Sequence, residues 1–169
     1  MPKGKNGNAG RSGGSQAGNR KYGVVRQHSE SHVVRKMGVS DSNIVGVGSL
    51  NALLNRMVAG DILCVPTIAS FAFSAYDLFC KMQFLSSRGV EFQSGNESYL
   101  NFSSVKPLSV VSVETLKLFA LREVEFIKWI QASGLSDAAK VPIINRIQAE
   151  FLASVALVYK NNGIKKKGN

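Results

Sequence analysis

The sequence predicts an α/β domain with a mainly parallel sheet, and three observations predict it. Short β-branched segments alternate with stretches of helical apolar spacing between Tyr22 and Gln93. One of those segments, residues 62–65, is apolar throughout and is stopped by Pro66, as expected of a strand buried on both faces. Two longer helical segments follow with no further strand between them. Strands alternating with helices favour helices packed on the faces of a parallel sheet.

Residues 22–26 (YGVVR) form the first predicted strand, because Val24 and Val25 suit extended backbone. Residues 43–47 form a second. Ser49 is an N-cap candidate, with Leu50, Leu53, Leu54 and Met57 at helical spacing behind it. Gly60-Asp61 breaks the chain before the strand at 62–65. Residues 74–87 read as a helix with Leu78, Phe79, Met82 and Leu85 inward. Arg88-Gly89 closes it, since glycine tolerates the left-handed position after a helix. Residues 90–93 are another strand, and 94–107 a polar, irregular, mobile loop. A long helix over 108–132 comes next, and Gly134 interrupts it. Pro142 suits the first turn of a last helix that reaches Tyr159 with Ile144, Ile147, Phe151, Val155 and Val158 in one stripe.

The 169 residues suffice for one domain, and 44% hydrophobic content excludes whole-chain disorder. No apolar run approaches bilayer length, so no membrane association is expected. The basic residues before Tyr22 lack an apolar segment at signal-peptide spacing, so secretion is not expected and a cytoplasmic location is. Cys64 and Cys80 are too few for a disulfide framework or a zinc site of their own, and both are expected to be reduced and buried.

The formal charge of +10 is concentrated at the ends. Residues 1–21 hold Lys3, Lys5, Arg11, Arg20 and Lys21 with no acid, and residues 160–169 hold Lys160, Lys165, Lys166 and Lys167 with none. Between them, 12 basic side chains face 11 acidic ones. A basic groove on the globular part is therefore not implied, whereas two cationic arms are. The first arm is Gly/Ser/Asn-rich without aromatic or β-branched residues, so it should be disordered when free. Such cations bind phosphates by releasing counterions, without reading sequence. A solubilising tail is the plainer alternative.

Catalytic signals from the residues themselves are poor. Gly46-Val47-Gly48 lacks the third glycine and the lysine of a phosphate loop, and no cofactor is implied. His28 and His32 could share a helical face, but no third metal ligand is evident and two exposed polar side chains explain them better. Glu123 and Glu125, two residues apart, read as solvated helix surface. Phe126 and Trp129 read as core or dimer contacts.

The stretch GDILCVPTIASFAFSAYDLFCKMQFLSSRGVEFQS, residues 60–94, resembles the catalytic domain of the serine recombinases (resolvases and DNA invertases). A "GD" strand, a short active-site loop, a helix with Ser74, Asp77 and Leu78, and an "RGV-x-F-x-S" strand follow in the family's order. LKLFALREVEFIKWIQASGLSDAAK is similar to the family's long dimerisation helix and its sequel, and Tyr22-Gly23-Val24-Val25-Arg26 to its opening strand. The resemblance covers about residues 22–140. It implies a resolvase-like three-layer core over 22–107, then a helical oligomerisation segment over 108–159 that carries Leu116, Phe119, Phe126, Trp129 and Ile130. A homo-oligomer, at least a dimer, in a bacterial or phage-infected cell follows from it.

The family attacks a DNA phosphate with a serine set among arginines. The chain departs from that pattern. Its Arg26-Gln27-His28-Ser29 puts His28 where the serine is expected, which leaves Ser29 and Arg26 as the catalytic candidates. The acid and arginines of the active-site loop match Ala69, Ser70 and Phe73, and the neighbourhood of Val47-Gly48 has no basic residue. The resemblance thus implies a pseudoenzyme that binds nucleic acid, DNA in preference to RNA, through Lys3, Lys5, Arg11, Arg20, Lys21, Lys165, Lys166 and Lys167. Ile68, Ala69, Phe71, Ala72 and Phe73 would turn the former phosphate pocket into an exposed apolar surface for a protein partner. Burial of that loop beneath 94–107 is the structural alternative. The alternatives in function are an active recombinase with an altered site, and a structural assembly protein with a nucleic acid-binding arm.

Overall fold

The computed structural model describes residues 19–160. Four strands, β1 (Lys21–Val25), β2 (Ile44–Gly46), β3 (Ile62–Val65) and β4 (Glu91–Ser94), form one all-parallel sheet in the order β2-β1-β3-β4. The helices are α1 (Ser31–Lys36), α2 (Leu50–Arg56), α3 (Ala75–Ser87), α4 (Val110–Gln131) and α5 (Asp137–Tyr159). The α/β class and the parallel sheet agree with the sequence reading.

Alternation along the strands assigns the two faces. Tyr22, Val24, Leu63, Val65 and Phe92 point to one side, where Leu50, Leu53 and Leu54 of α2 and Leu78, Met82 and Leu85 of α3 cover them. Val25 and Cys64 point to the other, against Val34 of α1 and Val39. The Val34 side chain of α1 lies close over β1 at Gly23: a Cβ there would stand 3.1 Å from Val34 atoms, so any larger residue would push Val34 aside by a few tenths of an ångström. Cys64 is buried as expected, and burial pushes its thiol up to about 11 despite the lowering charge of Lys21, which makes it an inert core group. Cys80, expected to be buried, is exposed on α3.

Local signals place the helix ends. Ser74 caps α3 by accepting the Asp77 amide, and Gly89 adopts φ +70° after it. Asp61, of the Gly60-Asp61 break, is buried, and its carboxylate accepts the amides of Arg20 and Val58. It thereby ties the start of β1 to the turn after α2. The last helix starts earlier than predicted. Ser136 caps it through the Ala139 amide, and Pro142 sits inside it rather than in its first turn.

Three further expectations are corrected. The arm boundary at residue 21 is too late: Asn19 donates to the Gly60 carbonyl, Lys21 opens β1, and the Lys21 ammonium donates to the Met37 carbonyl at 2.9 Å. Segment 94–107, expected to be mobile, is pinned by an antiparallel bridge between Phe92 and Phe102 and buries Glu97, Leu100 and Phe102. Helix α5 is long and apolar enough by composition to cross a bilayer, contrary to the reading that no run qualifies.

Helix α4 packs on α3, and α5 packs on α4. Leu116 of α4 and Leu152, Val155 and Tyr159 of α5 join the same buried cluster as the sheet, so the two long helices share the core of the domain. Leu116, assigned to self-association from the sequence, is therefore an internal residue and offers no surface. Phe119 is half-buried against the core, Phe126 lies 5.8 Å from the Phe151 ring, Ile130 is half-buried, and Trp129 is 74% exposed.

Candidate functional site at the carboxyl ends of β1 and β3

The sheet order reverses direction between β1 and β3, since β2 lies on one side of that pair and β4 on the other. Loops leaving the carboxyl ends of such strands diverge and leave a crevice, where open α/β sheets bind their ligands. Here the crevice is a cavity of about 380 Å³. Its polar side chains come from Arg26 and Glu30 after β1, Ser70 after β3 and Glu97 after β4. Alanines 149, 153 and 156 of α5 form its apolar wall.

Glu30 organises the turn after β1. One carboxylate oxygen accepts the amides of Arg26 at 2.7 Å and Gln27 at 3.2 Å, and the other accepts the Ser70 hydroxyl at 3.0 Å. Burial alone would raise this carboxyl. The bonds from the Arg26 and Gln27 amides and the Ser70 hydroxyl, with the Arg26 charge, outweigh burial and hold it below its ordinary value. Ser70, matched by resemblance to an arginine of the active-site loop, instead stitches that loop to the β1 turn. Glu97 does the same from the other side. It is buried, and one oxygen accepts both the Ile68 amide at 3.0 Å and the Ser94 hydroxyl at 2.6 Å.

Two carboxylates beside one guanidinium make a poor seat for a phosphate. Arg26 lines the cavity; Ser29 is exposed, does not line it, and offers its carbonyl to the His32 imidazole at 2.6 Å. The two catalytic candidates are thus not brought together. No lysine and no second arginine lines this cavity among the described residues. Lys81, which the sequence reading overlooked, reaches the same loop but is committed to the Phe71 carbonyl at 2.9 Å and the Asp77 carboxylate at 2.7 Å. His28 and His32 are exposed, and the described residues hold no cluster of three metal-ligating side chains.

The expected exposed apolar loop is mostly inside. Ile68, Phe71 and Ala72 are buried, and only Ala69 and Phe73 face solvent. Phe71 packs on Phe92 at 5.3 Å, and Phe92 on Phe102 at 6.1 Å, so segment 94–107 covers the loop and removes most of the proposed partner surface.

Glu123 is a second functional group that the sequence hides. It is buried rather than solvated, and its two oxygens accept the Ala75 and Tyr76 amides at the start of α3. Burial raises its carboxyl; those bonds and the Ser74 hydroxyl oppose the rise, and the Asp77 charge adds to it. Glu125 is on the surface, paired with Arg122. Of the cationic candidates, Arg20 and Lys21 are described, whereas Lys3, Lys5, Arg11, Lys165, Lys166 and Lys167 lie outside the described residues.

The chain matches no protein-family model, and no curated protein at a significant level.

Proposed function

We propose that the chain is a catalytically silent, resolvase-like protein that self-associates and binds nucleic acid, DNA in preference to RNA, through its cationic ends. The observation that carries this reading is the crevice itself. Strand, loop, helix and strand follow one another from β3 to β4, an order consistent with the resemblance, and the crevice is lined by one arginine, Arg26, beside Glu30 and Glu97, where phosphate transfer calls for a cluster of arginines. Loss of one charge-stabilising donor already costs roughly 3 kcal/mol in such chemistry. The arrangement of Ser70 and the two glutamates is a structural clamp, since each joins one loop to the next.

Binding then rests on charge rather than on the crevice. Removing residues 1–18, which leaves β1 intact, takes away Lys3, Lys5 and Arg11. Affinity for duplex DNA should fall, and the slope of log affinity against log salt should flatten by roughly 2–3 units if each cation meets a phosphate. An unchanged slope removes the arm from the mechanism. Incubation with supercoiled DNA should yield no covalent serine adduct; an adduct at Ser29 would overturn the silent reading.

A further inference from the structure

Charge is nearly balanced along the folded part of the chain, yet the fold separates it between the two edges of the sheet. At the carboxyl edge the crevice sets one arginine beside two glutamates. The amino edge is different. Its strand starts, the last turns of α1, α2 and α3, and the connections between them span residues 19–21, 35–44, 54–62 and 86–91. They carry Arg20, Lys21, Arg35, Lys36, Arg56 and Arg88 against Asp41, Asp61 and Glu91, a surplus of three positive charges.

Three of the arginines gather at one turn, the one between α2 and β3. Arg88 donates to the Leu54 and Asn55 carbonyls at 3.3 and 3.4 Å, which brings its guanidinium to the end of α2. Arg56, the next residue there, holds its guanidinium 5.5 Å from the Tyr22 ring of β1. Arg20 is tied to the same turn through Asp61, whose carboxylate accepts the Arg20 and Val58 amides. Arg20 and Arg56 are exposed, whereas Asp61 is buried and turned onto those amides. Residues 1–18 join the domain at Asn19, whose amide donates to the Gly60 carbonyl. Lys3, Lys5 and Arg11 are thus tethered to this turn as well.

We propose that the amino edge of the sheet is a phosphate-binding face for duplex DNA, anchored on the fold by Arg20, Arg56 and Arg88 and extended by residues 1–18. This rests on the nucleic acid reading above and adds a folded surface to the cationic ends. The field of a helix carboxyl end attracts cations, which accounts for Arg56 and Arg88 but not for Arg20 at the start of a strand. Arginine presents paired N–H donors that match phosphate oxygens. Lipid headgroups carry phosphates too, but lasting attachment to a bilayer needs an apolar face. Around this turn Val58 and Phe84 are only 43% and 38% exposed.

Fluorescence anisotropy of the full chain with a duplex of about 20 base pairs, across about 50–200 mM salt, tests this. Arg20→Gln with Arg56→Gln should weaken binding at least about tenfold and lower the slope of log affinity against log salt by about 2, one phosphate for each arginine. Arg56→Lys keeps the charge and should bind within about threefold of wild type, which separates loss of charge from loss of folding. Lys117→Gln with Lys128→Gln removes as much charge from the exposed side of α4 and should bind as wild type does. If the two double variants weaken binding equally, net charge rather than this edge is responsible and the face is overturned. If the arginine variant binds like wild type while removal of residues 1–18 abolishes binding, the arm reading stands and the face falls. A wild type that does not bind DNA overturns both. If that protein instead sediments with phosphatidylserine vesicles and the arginine variant does not, a lipid surface is the occupant in place of DNA.

Discussion

The Glu123 carboxylate of α4 sits 2.8 Å from the Ala75 amide and closes the amino end of α3. Together with the Ser74 cap it satisfies the leading amides of that helix, which otherwise end without partners. That side chain thereby adds a polar tie between α4 and α3 to the apolar packing of the long helices on the core. Glu123→Ala should destabilise the fold by about 1–3 kcal/mol, the cost of leaving buried amides unpaired. Urea titration measures this, and a change below a few tenths would remove Glu123 as a tie between the two helices.

The raised carboxyl of Glu123 has a signed consequence. Its folded value lies above the ordinary 4.5, so its contribution is complete below that pH and declines as pH rises through the folded value. Relative to Glu123→Gln, wild type should therefore lose stability between acid and neutral pH. Paired urea titrations across that range check the sign, and an opposite slope would refute it.

Glu30 should behave in the reverse sense. Its folded value is lowered, so its stabilisation is present above the ordinary value of 4.5 and is lost as pH falls through the folded one. Ser70→Ala removes one of the bonds that lower it and should shift the Glu30 titration upward, with a loss of about 0.5–1.5 kcal/mol. A carboxyl-detected NMR titration of both proteins reads the shift directly. An unmoved Glu30 would mean that the 3.0 Å contact between the two loops does not hold in solution.

The contrast between these two glutamates shows what the sequence made legible. Strands β1 and β3 stand out because β-branched or apolar runs end at punctuating residues, and α3 because Ser74 and Gly89 bracket it. Helix α1 is a single short turn-and-a-half containing Val33-Val34, too brief for helical periodicity to emerge. Pro142 drew the start of α5 one turn too late, because proline usually marks a first turn. The crevice was not legible at all. Glu30 and Ser70 are 40 residues apart, and only the parallel pairing of β1 with β3 brings their loops together. Glu123 likewise shares no local pattern with Ala75; the packing of α4 on α3 alone makes it a cap.

Segment 94–107 gives a test of packing against mobility. Its polar composition suggests a flexible loop, yet Phe102 stacks on Phe92 and the two residues exchange backbone bonds at 3.1 Å in each direction. The segment should resist limited proteolysis in the native protein. Phe102→Ala should cost about 3–5 kcal/mol, as for other buried phenylalanines, and should open chymotryptic cleavage after Tyr99, whose side chain is exposed. Rapid chymotryptic cleavage of the wild type after Tyr99 would show that the aromatic stack does not hold the loop closed.

Gly23 marks a close approach between the sheet and α1. An added Cβ would lie 3.1 Å from two Val34 atoms and 3.3 Å from Val39, all within the small cluster that covers this face. The strain therefore falls on β-branched side chains, which cannot rotate away easily. Gly23→Ala should destabilise the protein by about 1–3 kcal/mol through overpacking. Restoring space with Val34→Ala in the same chain should recover part of that loss, because the two changes act on one contact and so do not add. If instead the double variant is less stable than the sum of the single losses, the close approach of α1 to β1 is not what requires glycine at this position.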